Sequence, residues 1–174
     1  TVLALECAYR GVLAGEPAVF VSFEERAEAV RANAATLGWD LAVHEEAGRL
    51  SLVYAEPPVR AVRTGDFDIQ GLLAVLGAQV EAVGARRIVL DAVDQLMRAF
   101  RDPERERDEL HVLHEWLLER GLTALLTLKS QPNGDVVYPF LGFLADCAIH
   151  LDQRIQAQLR TRRLQVVKYR GSGF

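Results

Sequence analysis

RRIVLDAVDQL, Arg86 to Leu96, decides the architecture. The apolar run Ile88-Val89-Leu90 stops at a carboxylate, Asp91, which is how a strand buried on both faces presents an acid at its carboxyl end. Such an acid is well placed to hold a metal ion. The pattern is common, however, since many strands end in Asp before a turn or a helix cap, so its meaning rests on its neighbours.

Working outward, Ile69 to Val83 has helical periodicity up to Gly84. Beyond the central stretch, Asp102-Pro103 opens a charged helix, PERERDELHVLHEWLLER, with Leu110, Leu113, Leu117 and Leu118 on one face and a cap at Gly121. Leu122 to Leu128, LTALLTL, is a second nearly all-apolar strand. Upstream, the spacing predicts a helix over Val2 to Leu13 ended by Gly15 and Pro17, then a strand AVFVSF at Ala18 to Phe23 with Glu24-Glu25 at its end. A helix from Arg26 to Leu37 closed by Gly38 precedes a strand at Leu50 to Tyr54, which Pro57-Pro58 break. Arg60 to Asp68, turning at Thr64-Gly65-Asp66, and Gln131 to Asp135 read as loops.

Apolar strands alternating with amphipathic helices predict an α/β fold, a mostly parallel sheet with helices on both faces. Cys147 to Leu151 and Leu164 to Tyr169, joined by a polar stretch, depart from that rhythm and predict a C-terminal antiparallel hairpin at one edge. The 174 residues suit one domain. No apolar run approaches the roughly 18 residues of a membrane span, and no signal-peptide pattern leads the chain. Cys7 and Cys147, far apart among apolar neighbours, read as reduced core thiols of a cytoplasmic protein. The net charge of −4 argues against a nucleic-acid partner.

Three strands thus end in groups suited to metal and phosphate chemistry: Glu24 with Glu25, Asp91, and Thr127 with Lys129. The carboxyl ends of parallel strands share one edge, where these groups can meet. Plainer readings exist for each. Glu24 and Glu25 also suit a helix start, where the dipole favours acids. His111, His114 and Glu115 on a charged helix read as solvated side chains rather than a zinc site, His44 and His150 are isolated, and Trp39 reads as a packing anchor. Lys168 and Arg170, alternate residues of a strand, point to one side, as they would on a solvated edge. Arg160, Arg162 and Arg163 form a basic cluster better suited to a subunit contact than to nucleic acid.

Four separated runs, GEPAVFVSFEE (Gly15 to Glu25), LGWDL (Leu37 to Leu41), RRIVLDAV (Arg86 to Val93) and VVKYRGSG (Val166 to Gly173), resemble in order and register the circadian-clock KaiC family of RecA-like ATPases. The resemblance implies a RecA-like three-layer sandwich over residues 1–174, ATP and Mg2+ as cofactors, and a homo-oligomeric, hexameric ring with possible signalling partners. It makes Thr1 the last residue of a phosphate-binding loop, on the nucleotide and its magnesium, with the rest of that loop and the first strand expected upstream of residue 1; without them the chain is expected to be inactive. Asp91 resembles the family's magnesium-holding acid, Glu24 and Glu25 its paired catalytic acids, and Lys168 and Arg170 the pair that reaches a neighbouring subunit's nucleotide.

There are departures. The family usually has a hydroxyl residue after the acid, where this chain has Ala92. Autokinase members carry a Ser-Thr pair where this chain has Gly142-Phe143, neither of which can accept a phosphoryl group, so no self-phosphorylation is expected there. The activity implied is ATP hydrolysis coupled to assembly or signalling. A nucleotide-gated scaffold with negligible turnover is the alternative, and a recombinase- or helicase-like DNA motor a weaker one.

Overall fold

In the computed structural model, residues 1–55, 69–100, 102–129, 139–156 and 159–171 are described. The loops expected around 57–68 and at 131–135 lie outside them, as does Gly173. The chain divides into two compact units, Thr1–Lys129 and Ser130–Phe174.

The first unit is built on four parallel strands, β1 (Ala18–Ser22), β2 (Leu50–Tyr54), β3 (Arg87–Asp91) and β4 (Thr123–Leu126), in the order β2-β1-β3-β4. All five residues of β1 and the last four of β3 are buried. Unbroken burial of this kind requires cover on both faces, which is why these strands read as apolar runs without alternation. On one face Ala18, Phe20 and Val89 pack with Ala4, Leu5, Ala8 and Val12 of α1 (Val2–Leu13) and with Val30 and Ala34 of α2 (Ala27–Thr36). Alternation along a strand turns Val19, Val21, Ile88 and Leu90 to the other face, and each is at most 1% exposed.

Beyond α2, α3 (Ala42–Glu46) leads into β2, and α4 (Ile69–Val83) packs against β1, β2 and α6 (Pro103–Glu119). The expected helix at Ile69 to Val83 matches to the residue. α6 starts as its sequence dictates, with Pro103 in its first turn and the Asp102 carboxylate accepting the Glu104 N–H at 3.1 Å. It buries Leu110, Leu113, Trp116 and Leu117. The sequence reading places no helix at α3 or at Pro139–Leu144, nor at α5 (Val93–Met97), which follows Asp91 almost at once.

The second unit holds α7 (Pro139–Leu144) and an antiparallel ribbon of β5 (Cys147–Gln156) and β6 (Leu159–Tyr169). The expected hairpin is present, but its strands are longer, because the polar stretch between them continues the ladder. Residues of β6 are exposed apart from half-buried Lys168. Cys147 is therefore exposed and Cys7 half-buried, both free, and neither is the core thiol that its apolar neighbours suggested. Among the described residues no helix is long and apolar enough to cross a membrane.

Candidate functional site

Strand order places the site. β1 pairs with β2 on one side and β3 on the other, so the chain reverses its winding direction between β1 and β3. At such a switch point the loops beyond the strand ends part and leave a crevice. The last register pair there is Ser22 with Asp91.

Asp91 is 2% exposed. Its Oδ2 accepts the Thr1 hydroxyl at 2.8 Å and its Oδ1 the Thr127 hydroxyl at 2.7 Å. Thr127 lies just past β4, and its Oγ1 also accepts the Ala92 N–H at 2.8 Å. Ala92 has φ 66° and ψ 51°, the left-handed region that a non-glycine residue enters only under constraint. This turn starts α5 directly behind the acid. The hydroxyl that the residue after Asp91 lacks is supplied to the carboxylate from the neighbouring strand.

Glu24 and Glu25 follow β1, their backbone N–H groups capped by the Ser22 hydroxyl at 3.3 and 2.8 Å. The turn sends their side chains to different partners. Glu24 Oε1 accepts both the Gln95 amide, at 2.6 Å, and the Lys129 ammonium. The bond from Lys129, with Gln95 and the charges of Lys129 and Arg98 adding to it, holds the Glu24 carboxyl below its ordinary value against a smaller burial effect. Lys129 is raised in turn, chiefly by its bond to Glu24. Glu25 accepts the Asn33 amide at 2.9 Å. A cleft of about 240 Å³ opens beside it, lined by Thr1, Leu5, Glu25, Val30 and Asn33 among others.

Thr1, Glu24, Glu25 and Asp91 are therefore brought to one edge of the first unit. Sequence reasoning missed Ser22, Gln95 and Asp94. Asp94 is 3% exposed; its Oδ1 accepts the Lys129 N–H at 3.3 Å, and its Oδ2 lies 3.7 Å from Arg98. Their signal was present as polar residues inside apolar runs, although their roles depend on register. Lys168 and Arg170 belong to the second unit. There Lys168 Nζ donates to the carbonyls of Gly142 and Phe143 at 2.8 and 3.1 Å, and Arg170 donates to Phe143 O at 2.7 Å and Asp146 Oδ1 at 3.3 Å. The two residues do share a side, and both meet the last turn of α7. Arg160, Arg162 and Arg163 are exposed on β6.

Thr1 Oγ1 and Asp91 Oδ2 also pass a test for a hard cation. Two adjacent ligands of an octahedral magnesium ion, each about 2.0–2.1 Å from it, lie about 2.8–3.0 Å apart, which matches the 2.8 Å observed. Both are oxygen donors, as magnesium requires.

The model of the KaiC ATPase family matches residues 1–174. The chain is 37% identical over 175 residues to circadian clock protein KaiC2 of Synechocystis sp., covering 99% of this chain and 31% of that protein. It is 29% identical over 176 residues to the circadian clock oscillator protein KaiC of Synechococcus elongatus, covering 99% and 34%. It thus spans about a third of the length of these curated relatives. A KaiC-like protein of the hyperthermophilic archaeon Pyrococcus horikoshii superposes with a TM-score of 0.82 at 28% identity, over 97% of this chain and 72% of that one.

Proposed function

This chain belongs to the KaiC family of ATPases, and from that premise we propose that the switch-point edge of its sheet is the magnesium and water-activating side of an ATP-hydrolysing centre. The observation that carries the reading is the contact between Thr1 Oγ1 and Asp91 Oδ2, 90 positions apart in sequence and spaced as magnesium ligands. Bound there with ATP, magnesium would neutralise charge developing on the phosphates. The protein's part is to hold the two donors in place. Thr127 does so for Asp91 by occupying Oδ1 and leaving Oδ2 toward Thr1.

The two glutamates take different roles in this proposal. Glu25 is the general base, orienting a water in the cleft beside Thr1 and accepting its proton. Glu24 is a positioning residue, since its Oε1 is already engaged by Lys129 and Gln95 and its basicity is lowered. Lys168 and Arg170 would serve a nucleotide held by the next subunit of a homo-oligomeric, hexameric ring in the cytoplasm. Hydrolysis would then be coupled to subunit assembly or to signalling partners.

Phosphate release tests the reading, measured on a single RecA-like domain that carries the whole phosphate-binding loop the family implies, ending at Thr1. Loss of turnover in Glu25→Gln and in Arg170→Ala is expected. Unchanged turnover in both removes the assigned roles, ATP-dependent assembly without turnover favours a nucleotide-gated scaffold, and stimulation by DNA favours a motor.

A further inference from the structure

We propose that His111, His114 and Glu115 on α6 form a binding site for a divalent transition-metal ion of the zinc class, separate from the oxygen donors at Asp91. The sequence suggested solvated side chains; the geometry points elsewhere. Positions three and four apart on a helix are neighbours on its surface, so His111 meets both His114 and Glu115. One donor atom from each of the three lies within 4.8 Å of the others. The imidazole rings are 6.5 Å apart between centroids and inclined by only 23°.

Two further observations point to a cation. His114 Nδ1 is buried and has no hydrogen-bond partner among the described residues, a state that native proteins rarely leave uncompensated. It lies 3.5 Å from Glu115 Oε1. Two ligands held at about 2.0–2.1 Å by one tetrahedral zinc ion are about 3.4 Å apart, close to the separation of this nitrogen and this oxygen. His111 is exposed and closes the third side by a side-chain rotation. On the buried face, Leu110, Leu113 and Leu117 anchor α6 in the core and fix the backbone that carries the donors.

Two imidazoles and a carboxylate make a three-ligand set that leaves a fourth position to water. Imidazole nitrogen selects zinc, copper or nickel over magnesium, which prefers oxygen ligands. A site on the folded helix also stabilises the fold through the ion it holds.

The test uses the full chain stripped of metal, titrated with Zn2+ by calorimetry and with Co2+ by visible absorption, alongside thermal melting. One ion per chain is expected, with a rise in melting temperature and no displacement by excess Mg2+. His111→Ala, His114→Leu and Glu115→Gln should each weaken binding at least about tenfold, with unchanged circular dichroism because His111 and Glu115 are exposed and Leu fills most of the half-buried His114 position. Cys7→Ser and Cys147→Ser should bind as the parent does. A Kd weaker than about 1 mM, affinity indifferent to all three substitutions, or a thiolate charge-transfer band that disappears with the cysteines would each overturn the proposal.

Discussion

Replacing Thr127 with Val keeps the shape of the side chain and deletes one hydroxyl that makes two bonds, to Asp91 Oδ1 at 2.7 Å and from the Ala92 N–H at 2.8 Å. A hydrogen bond to a charged group contributes about 1.5–3 kcal/mol, and a buried N–H left without a partner costs about 1–3 kcal/mol. Thr127 is half-buried, so water replaces part of what is lost. The expected destabilisation is about 2 kcal/mol, or roughly thirtyfold in the folded-to-unfolded ratio. Urea unfolding should show a midpoint lowered by about 1 M at unchanged slope. Amide exchange at Ala92 should accelerate more than at Ile88 or Val89, whose ladder bonds remain. Thr127→Ser, which keeps both bonds, should stay within about 0.5 kcal/mol of the parent. The reasoning fails if Val is as harmless as Ser with Ala92 still protected, or if Ser is as damaging as Val.

Other substitutions probe the constraints around the site. Ala92→Gly should stabilise by about 0.5–1 kcal/mol, because the relief of a left-handed Ala exceeds the added chain entropy; a loss in thermal unfolding would contradict this. Gly11 sits where a Cβ would fall 2.5 Å from Arg87 Cδ, and Arg87 is tied to Glu16. Gly11→Ala should therefore gain about 1 kcal/mol of helix propensity only in an Arg87→Ala background, and the same effect in both backgrounds of a double-mutant cycle would rule out the clash. For the Glu24 and Lys129 pair, the lowered Glu24 pKa means that its contribution is present above the unfolded value near 4.5 and is lost as pH falls through the folded value. Both groups are substantially exposed, so the contribution is at most about 1 kcal/mol and should shrink in salt. Lys129→Met should flatten the stability profile below that pH, and an unchanged profile would show that the pair contributes nothing.

The fold was legible where burial was complete. β1 and β3 are covered on both faces, so their apolar runs carried the whole signal, and Gly84 and the periodicity before it fixed α4. Reading failed where structure was set by neighbours. α5 begins at an Ala in a conformation that sequence assigns to Gly, held there by Thr127 and reached only once β4 pairs with β3. The ends of β5 and β6 were missed because an exposed ribbon needs no apolar pattern to continue its ladder. For the site, Glu24, Glu25, Asp91 and Thr127 were visible as strand ends. The division between the two glutamates was not, since it follows from which side chains of α2, α5 and the segment after β4 lie beside each.

Lys168 and Arg170 carry the last step. In the second unit they cap the carbonyl end of α7, where a short helix leaves backbone acceptors unsatisfied and cations are favoured. Service to a neighbouring subunit's nucleotide, as proposed, requires them to leave those carbonyls. These bonds have ionised donors, each worth about 1.5–3 kcal/mol, and Arg170 also pairs with Asp146, so phosphate has to return bonds of the same class to offset their loss. Under that proposal the exchange would be close to balance while phosphate is present and would reverse when it departs. The last turn of α7 would lose its cationic cap in the nucleotide-bound state and regain it after release. Gly142 and Phe143, which have no hydroxyl for a phosphoryl group, take part through their backbone carbonyls, so in this chain the segment would respond to the nucleotide through hydrogen bonding in place of covalent modification.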